Sequence, residues 1–166
     1  MFGKSIRMPS AAELLPGRSA RMPVPAAHFV NGRPMQPPFP EGLEIALFGL
    51  GCFWGAERKF WQPSGVYTTA VGYAAGSTPN PTYREVCSHT TGHAEVVEVE
   101  FDPAQISFDK LLDVFWKQVD PFAPQESGSQ YRAAIFFTTP EQEACALASV
   151  ARLGKPVATE FGTAAF

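Results

Sequence analysis

From Leu43 onward the apolar positions change period several times, and each change marks an element. Glu44-Ile45-Ala46-Leu47-Phe48-Gly49-Leu50 is a short, mostly apolar run, the mark of a buried strand. After Cys52 the spacing switches. Phe53, Ala56 and Phe60 fall at i, i+3 and i+7, one stripe of a helix that Pro63-Ser64-Gly65 stops. Val66 to Tyr73 is rich in β-formers and predicts a second strand. The prolines of Ala74 to Pro81 predict a loop, and Thr82 to Ser88 closes as a short helix. Over 93–101, Val97, Val99 and Phe101 point one way while Glu98 and Glu100 point the other. Ser107 caps a helix whose stripe is Phe108, Leu111, Leu112, Phe115, Trp116 and Val119. A loop over 120–128 and a strand over 129–137 follow. Thr139-Pro140-Glu141-Gln142 combines an N-cap, a proline at N1 and Gln at N3, and Gly154 ends that helix. Residues 156–161 predict a last strand.

The order β-α-β-β-α-β, then an extra helix and strand, predicts an α+β fold. It is a ferredoxin-like split βαβ sandwich, a mixed sheet with its helices on one face. Residues 1–42 differ. They hold half of the sixteen prolines and no sustained period, so they read as a long irregular arm that wraps the domain or stays partly mobile. Within it, Ser10 and Glu13 have the spacing of a capped helical turn that Pro16-Gly17 ends. The domain proper is 43–166.

Bulk properties narrow the function classes. At 166 residues the chain makes one domain with a real core. A net charge of −3 gives no reason to expect nucleic acid or an anionic membrane as partner. No apolar run approaches the roughly 18 residues of a membrane helix. Three cysteines make no disulfide framework and fit a reducing compartment with a working thiol. Five basic residues against one glutamate in the first forty are mildly like a transit peptide, but the prolines break any long amphipathic helix. A cytoplasmic monomer is expected.

Cys52 is the first candidate for chemistry. It sits at a strand-to-helix turn, with Gly51 giving the backbone room to bend. Helix N-terminal N–H groups and the helix dipole favour an anion there, and thiolate is the reactive form of cysteine. A lone cysteine is more often a small buried hydrophobe. Phe53 and Trp54, unusual beside a turn, shift the balance toward a site. Glu95 is the second candidate. Strand parity puts it with the valines on the core side, where burial should raise its pKa and make it a proton donor. Cys87 and Cys145, in apolar helical contexts, read as core. Tyr83, Glu126 and Tyr131 come from loops or strand edges, where polar groups more often serve a site. No cysteines and histidines have zinc spacing, so no metal is expected. A hydrolase built on Cys52, His93 and Asp120 is a weak alternative.

Several motifs now coincide. Gly51-Cys52-Phe53-Trp54-Gly55 with Glu57-Arg58 resembles the signature of the A-type peptide methionine sulfoxide reductases. Gly72-Tyr73, Pro79-Asn80-Pro81-Thr82-Tyr83, Val86-Cys87, Gly92-His93-Ala94-Glu95, Asp120-Pro121 and Gln130-Tyr131-Arg132 match in order and spacing, over roughly residues 10–166. The resemblance implies reduction of methionine S-sulfoxide, free or in proteins. Cys52 would attack the sulfur, Glu95 would protonate the oxygen, and Tyr83 and Tyr131 would donate hydrogen bonds. Phe53 and Trp54 would wall the S-methyl group, with Gly51 and His93 also lining the substrate site and Glu126 at the family's aspartate. No bound cofactor is implied; the reductant is an external thiol such as thioredoxin, glutaredoxin or glutathione. The chain departs from the family pattern in a shortened loop at 125–133, in Val119 where a histidine is usual, and in reaching Phe166 without the C-terminal resolving cysteines. Either it is a fragment, or an external thiol such as glutathione or glutaredoxin reduces it directly. These departures motivate a second reading, a degenerate homologue that holds oxidised methionine without turnover.

Overall fold

The computed structural model describes residues 6–163. Along the chain come β1 (Glu44–Gly49), α1 (Phe53–Trp61), β2 (Val66–Ala74), α2 (Tyr83–Val86) and β3 (Ala94–Phe101). Then follow α3 (Phe108–Trp116), β4 (Ala134–Phe137), α4 (Pro140–Leu153) and β5 (Glu160–Thr163). The strands form one sheet in the order β2-β3-β1-β4-β5. β3 lies antiparallel between β1 and β2, β1 lies antiparallel between β3 and β4, and β5 joins β4 in parallel. This is the expected split βαβ arrangement, and β5 makes the sheet mixed.

Register sets the core. Ala46 opposite Val99 and Phe48 opposite Val97 put four apolar side chains on the helix-bearing face. Phe48 is their centre, with the rings of Phe60 from α1 and Phe108 and Phe115 from α3 at 4.8, 5.9 and 5.8 Å. Each such buried side chain stabilises the fold by about 1.5–3 kcal/mol. The other face carries a smaller cluster of Leu47, Ala94, Val96, Ala134 and Phe136. Helix α4 starts and stops as its sequence requires: Thr139 accepts from Gln142 N–H, and Gly154 ends it at φ 71°.

Several boundaries differ from the sequence reading. The strand expected over 129–137 is ordered as β4 only from Ala134, because Ser129 to Arg132 turn away to meet the site. Helix α3 ends at Trp116, short of Val119, and the last strand starts at Glu160. Ser10 and Glu13 close a turn in which Glu13 accepts from Ser10 N–H at 2.8 Å, without a helix. The arm is fastened to the domain. Leu15 N–H donates to Thr90 O, Arg18 pairs with Glu85 at 2.7 Å, and Gly128 N–H donates to Ile6 O. Gly128 is needed there, since a Cβ would fall 2.0 Å from Arg7 O.

Glu100 is the larger departure. Parity puts it opposite Glu95, on the face expected to be open, yet it is 1% exposed with neither carboxyl oxygen hydrogen-bonded. Its register neighbours are Ile45 and Thr68, and Thr68 Oγ1 is likewise buried without a partner. Burial, and then the Glu98 carboxyl beside it, pushes the Glu100 carboxyl up to about 9. A folded-state pKa raised above the unfolded value gives stability that is complete below pH 4.5. That stability is lost as pH rises toward 9, by at most ~1.4 kcal/mol per pH unit. Glu100→Gln removes the titration. Thermal unfolding at pH 5 and pH 8 should therefore show matching midpoints at the lower pH and a variant several degrees more stable at the higher one. A constant difference at both pH values would contradict the assignment.

Candidate active site

The site forms where the N-terminus of α1, the start of β3, the helix α2 and the turn 129–132 meet. Strand β1 delivers the chain to Gly51, whose φ of +92° belongs to the left-handed region that favours glycine. Cys52 then becomes the N-cap of α1, exposed and making no side-chain capping bond, so its thiol is open to solvent. Phe53 turns inward against Tyr73, ring centroids 5.7 Å apart, while Trp54 projects outward, 78% exposed.

Glu95 occupies the core side of β3, as its parity requires, and is 1% exposed. Its Oε2 accepts from Phe53 N–H at 3.1 Å and its Oε1 from Gln130 Nε2 at 3.2 Å. Its own N–H donates to Gln130 O at 2.8 Å. A buried carboxyl is thus joined to the first turn of α1, one residue beyond Cys52. Gln130 Nε2 also reaches Cys87 Sγ at 3.4 Å. Cys87 therefore caps α2 beside the site and is not plain core.

Tyr73 and Tyr83 both feel the charge of this carboxyl, and Tyr131 neighbours both phenols. The capping box of Thr82 and Glu85 starts α2 at Tyr83. Hydrogen bonding to Cys87, then the charges of Cys87 and Tyr131, push the Tyr83 phenol up to about 12. Burial, then the charges of Glu95, Cys87 and Tyr131, push Tyr73 to about 12 as well. Both keep their protons near neutrality and can donate hydrogen bonds. Tyr131 stands half-exposed in the same cluster.

Two expected residues are engaged elsewhere. His93 Nε2 donates to Thr78 O at 2.8 Å and Nδ1 accepts from Gly76 N–H at 3.2 Å. Burial lowers its pKa, and both nitrogens are used, so it is not free to act as a base for a cysteine hydrolase. Glu126 accepts from Ile6 N–H at 2.9 Å on the surface, holding the arm. Asp120 closes a local turn with Phe122 N–H. Gln130 and Arg132, by contrast, are not among the expected site residues, although the motif Gln130-Tyr131-Arg132 carries them beside Tyr131. Arg132 is buried, donating to Glu160 Oε2 at 2.6 Å, Ser129 O at 3.0 Å and Gly92 O at 3.0 Å. Among the described residues no cluster of histidine, cysteine and carboxylate side chains could hold a metal.

Residues 44–164 match the family model described as peptide methionine sulfoxide reductase. The chain belongs to that family. A peptide methionine sulfoxide reductase MsrA 1 from Synechocystis sp. is 60% identical over 153 residues, 90% of this chain and 69% of the relative. One from Azotobacter vinelandii is 55% identical, covering 96% and 79%. Methionine sulfoxide reductase A of Corynebacterium diphtheriae superposes with a TM-score of 0.79 at 36% identity, over 95% and 80% of the chains. Reduced Mxr1 from Saccharomyces cerevisiae follows at 0.62 and 27%, over 75% and 78%.

In this member of the family, Gln130 is the side chain that orients Glu95. Gln130→Ala would leave a buried carboxyl oxygen unpaired, at about 1–3 kcal/mol. The expected result is a lower unfolding midpoint together with slower sulfoxide reduction. An unchanged midpoint would show that water replaces the amide.

Proposed function

We propose that the chain reduces methionine S-sulfoxide to methionine with Cys52 as nucleophile and Glu95 as proton donor. The observation that carries this reading is the Glu95–Phe53 bond. It places a buried carboxyl at 3.1 Å from the first helical N–H after an exposed cysteine. A sulfoxide needs both groups at once: a nucleophile for sulfur and a proton for oxygen.

Cys52 Sγ attacks the sulfoxide sulfur while Glu95 protonates the oxygen, with Tyr83 and Tyr131 as hydrogen-bond donors to it. The S–O bond breaks, methionine leaves, and Cys52 carries the oxygen as a sulfenic acid. Sulfur is reduced by two electrons and Cys52 is oxidised by two. An external thiol then condenses with the sulfenic acid, releasing water, and a second thiol frees Cys52 with formation of a disulfide. Phe53 and the exposed Trp54 form apolar walls for the S-methyl group. The three free cysteines of the chain fit a reducing, cytoplasmic compartment. Mxr1, the yeast relative, also has a structure in complex with Trx2, in keeping with a small thiol protein as reductant.

A single turnover without reductant tests this. Reduced protein mixed with excess methionine S-sulfoxide should yield about one methionine per chain as one thiol disappears. Cys52→Ser should yield none, and Glu95→Gln should slow the step by roughly 10²–10⁴-fold. Sulfoxide binding with every thiol retained would favour the non-turnover homologue.

A further inference from the structure

A groove of about 990 Å3 runs away from the site between the arm and the domain. One wall is α1, where Phe53, Glu57 and Trp61 recur a turn apart, about 12 Å of length at 1.5 Å per residue. The floor is Ala70 to Tyr73 of β2, roughly 10–13 Å of strand. The other wall is the arm, with Met22, Val24 and Val30 all substantially exposed and Pro23 and Pro25 supplying no N–H donors. His28 holds that wall in place. Its Nδ1 accepts from Val30 and Asn31 N–H, so Nε2 donates to Thr69 Oγ1 at 3.1 Å, and Thr69 donates to Glu57.

The floor strand is an edge of the sheet. At its start the arm satisfies the outer carbonyls, Arg33 donating to Val66 O and Tyr67 O and Asn31 to Tyr67 O. From Ala70 to Ala74 no backbone hydrogen bond from the arm covers the edge among the described residues. An uncovered edge strand between apolar walls is the setting in which an extended peptide adds as a further strand. At its other end the groove is lined by Phe53, which follows Cys52, and by its ring partner Tyr73, which faces Glu95 across the β2–β3 register.

We infer that this groove receives the polypeptide flanking an oxidised methionine, as an extended apolar segment of about four residues paired along the edge of β2. The inference rests on the reductase reading and adds where a protein substrate lies. Glu57 is the one carboxylate on the lining, hydrogen-bonded to Thr69, so little charge opposes an apolar occupant. The volume exceeds what one methionine side chain needs and lies at the upper end of ordinary ligand clefts.

Steady-state kinetics on two substrates test it: free methionine S-sulfoxide, and an eight-residue peptide with valine and isoleucine around a central methionine S-sulfoxide. Val71→Arg, on the exposed part of β2, and Val24→Asp, on the opposite wall, should each raise KM for the peptide about tenfold. Neither should change kcat, nor either parameter for the free amino acid. With wild-type protein, methylating alternate peptide nitrogens should raise KM similarly, which needs no variant to fold. Unchanged peptide KM in both variants, or equal loss on both substrates, overturns the groove while leaving the active site in place. A wild-type protein inert toward both substrates would instead overturn the reductase reading on which it rests.

Discussion

Everything at the candidate site hangs on how one buried carboxyl is satisfied. Glu95 cannot sit on the apolar face of β3 without partners, because a buried polar group lacking hydrogen bonds costs several kcal/mol. Its two oxygens find Phe53 N–H and Gln130 Nε2, from segments 42 and 35 residues away. The first bond fixes the opening turn of α1 and with it the cysteine at the cap. The second fixes the turn that carries Tyr131. Arg132 continues the chain of constraints, binding Gly92 O just before β3 and Glu160 at the start of β5. The candidate groups come from four places in the sequence, and this carboxyl ties two of those places, the start of α1 and the turn before Tyr131, together.

Glu95 and Glu100 form a controlled comparison on a single strand. Both are 1% exposed, and the pleat sends them to opposite faces. Glu95 is bonded to a backbone amide and a side-chain amide, whereas Glu100 meets Ile45 and Thr68 and bonds to neither. Burial alone therefore does not make a site. The difference lies in whether neighbours point donors at the carboxyl.

That comparison also shows what the sequence could and could not reveal. Periodicity was enough for α1, α3 and the split βαβ order, since those follow from local spacing. Parity was enough to bury Glu95. Local chemistry fixed both ends of α4. Glu100 was beyond such reasoning because its burial depends on what covers the second face of the sheet, which the alternation of one strand does not encode. The late start of the strand expected over 129–137 has a similar cause: Ser129 to Arg132 have strand-like neighbours, but their hydrogen bonds go to Glu95, Gly92 and Glu160. Cys87 looked like core in its local stretch and becomes a neighbour of the site through Gln130 and Tyr83. In each case a tertiary partner overrode a local preference.

The arm is where local signals were weakest and the structural consequences are large. With eight prolines it cannot form a regular layer, yet it touches the domain through specific pairs, and three sets of them lie near the candidate site. Ile6 and the Arg7 carbonyl lie against Glu126 and Gly128, in the loop that leads into Gln130 and Tyr131. Leu15 and Arg18 lie against Thr90, Pro79 and Glu85, which frame α2 and Tyr83. His28 lies against Thr69 and Glu57, the side of α1 that starts at Phe53. Each contact is within a few residues of a group assigned to catalysis or substrate binding. A loop fixed at both ends by the domain and along its length by the arm has fewer conformations to lose when substrate binds, so preorganisation follows from the tethering. A proline-rich segment suits that role, because its own ordering entropy is already low in the free chain.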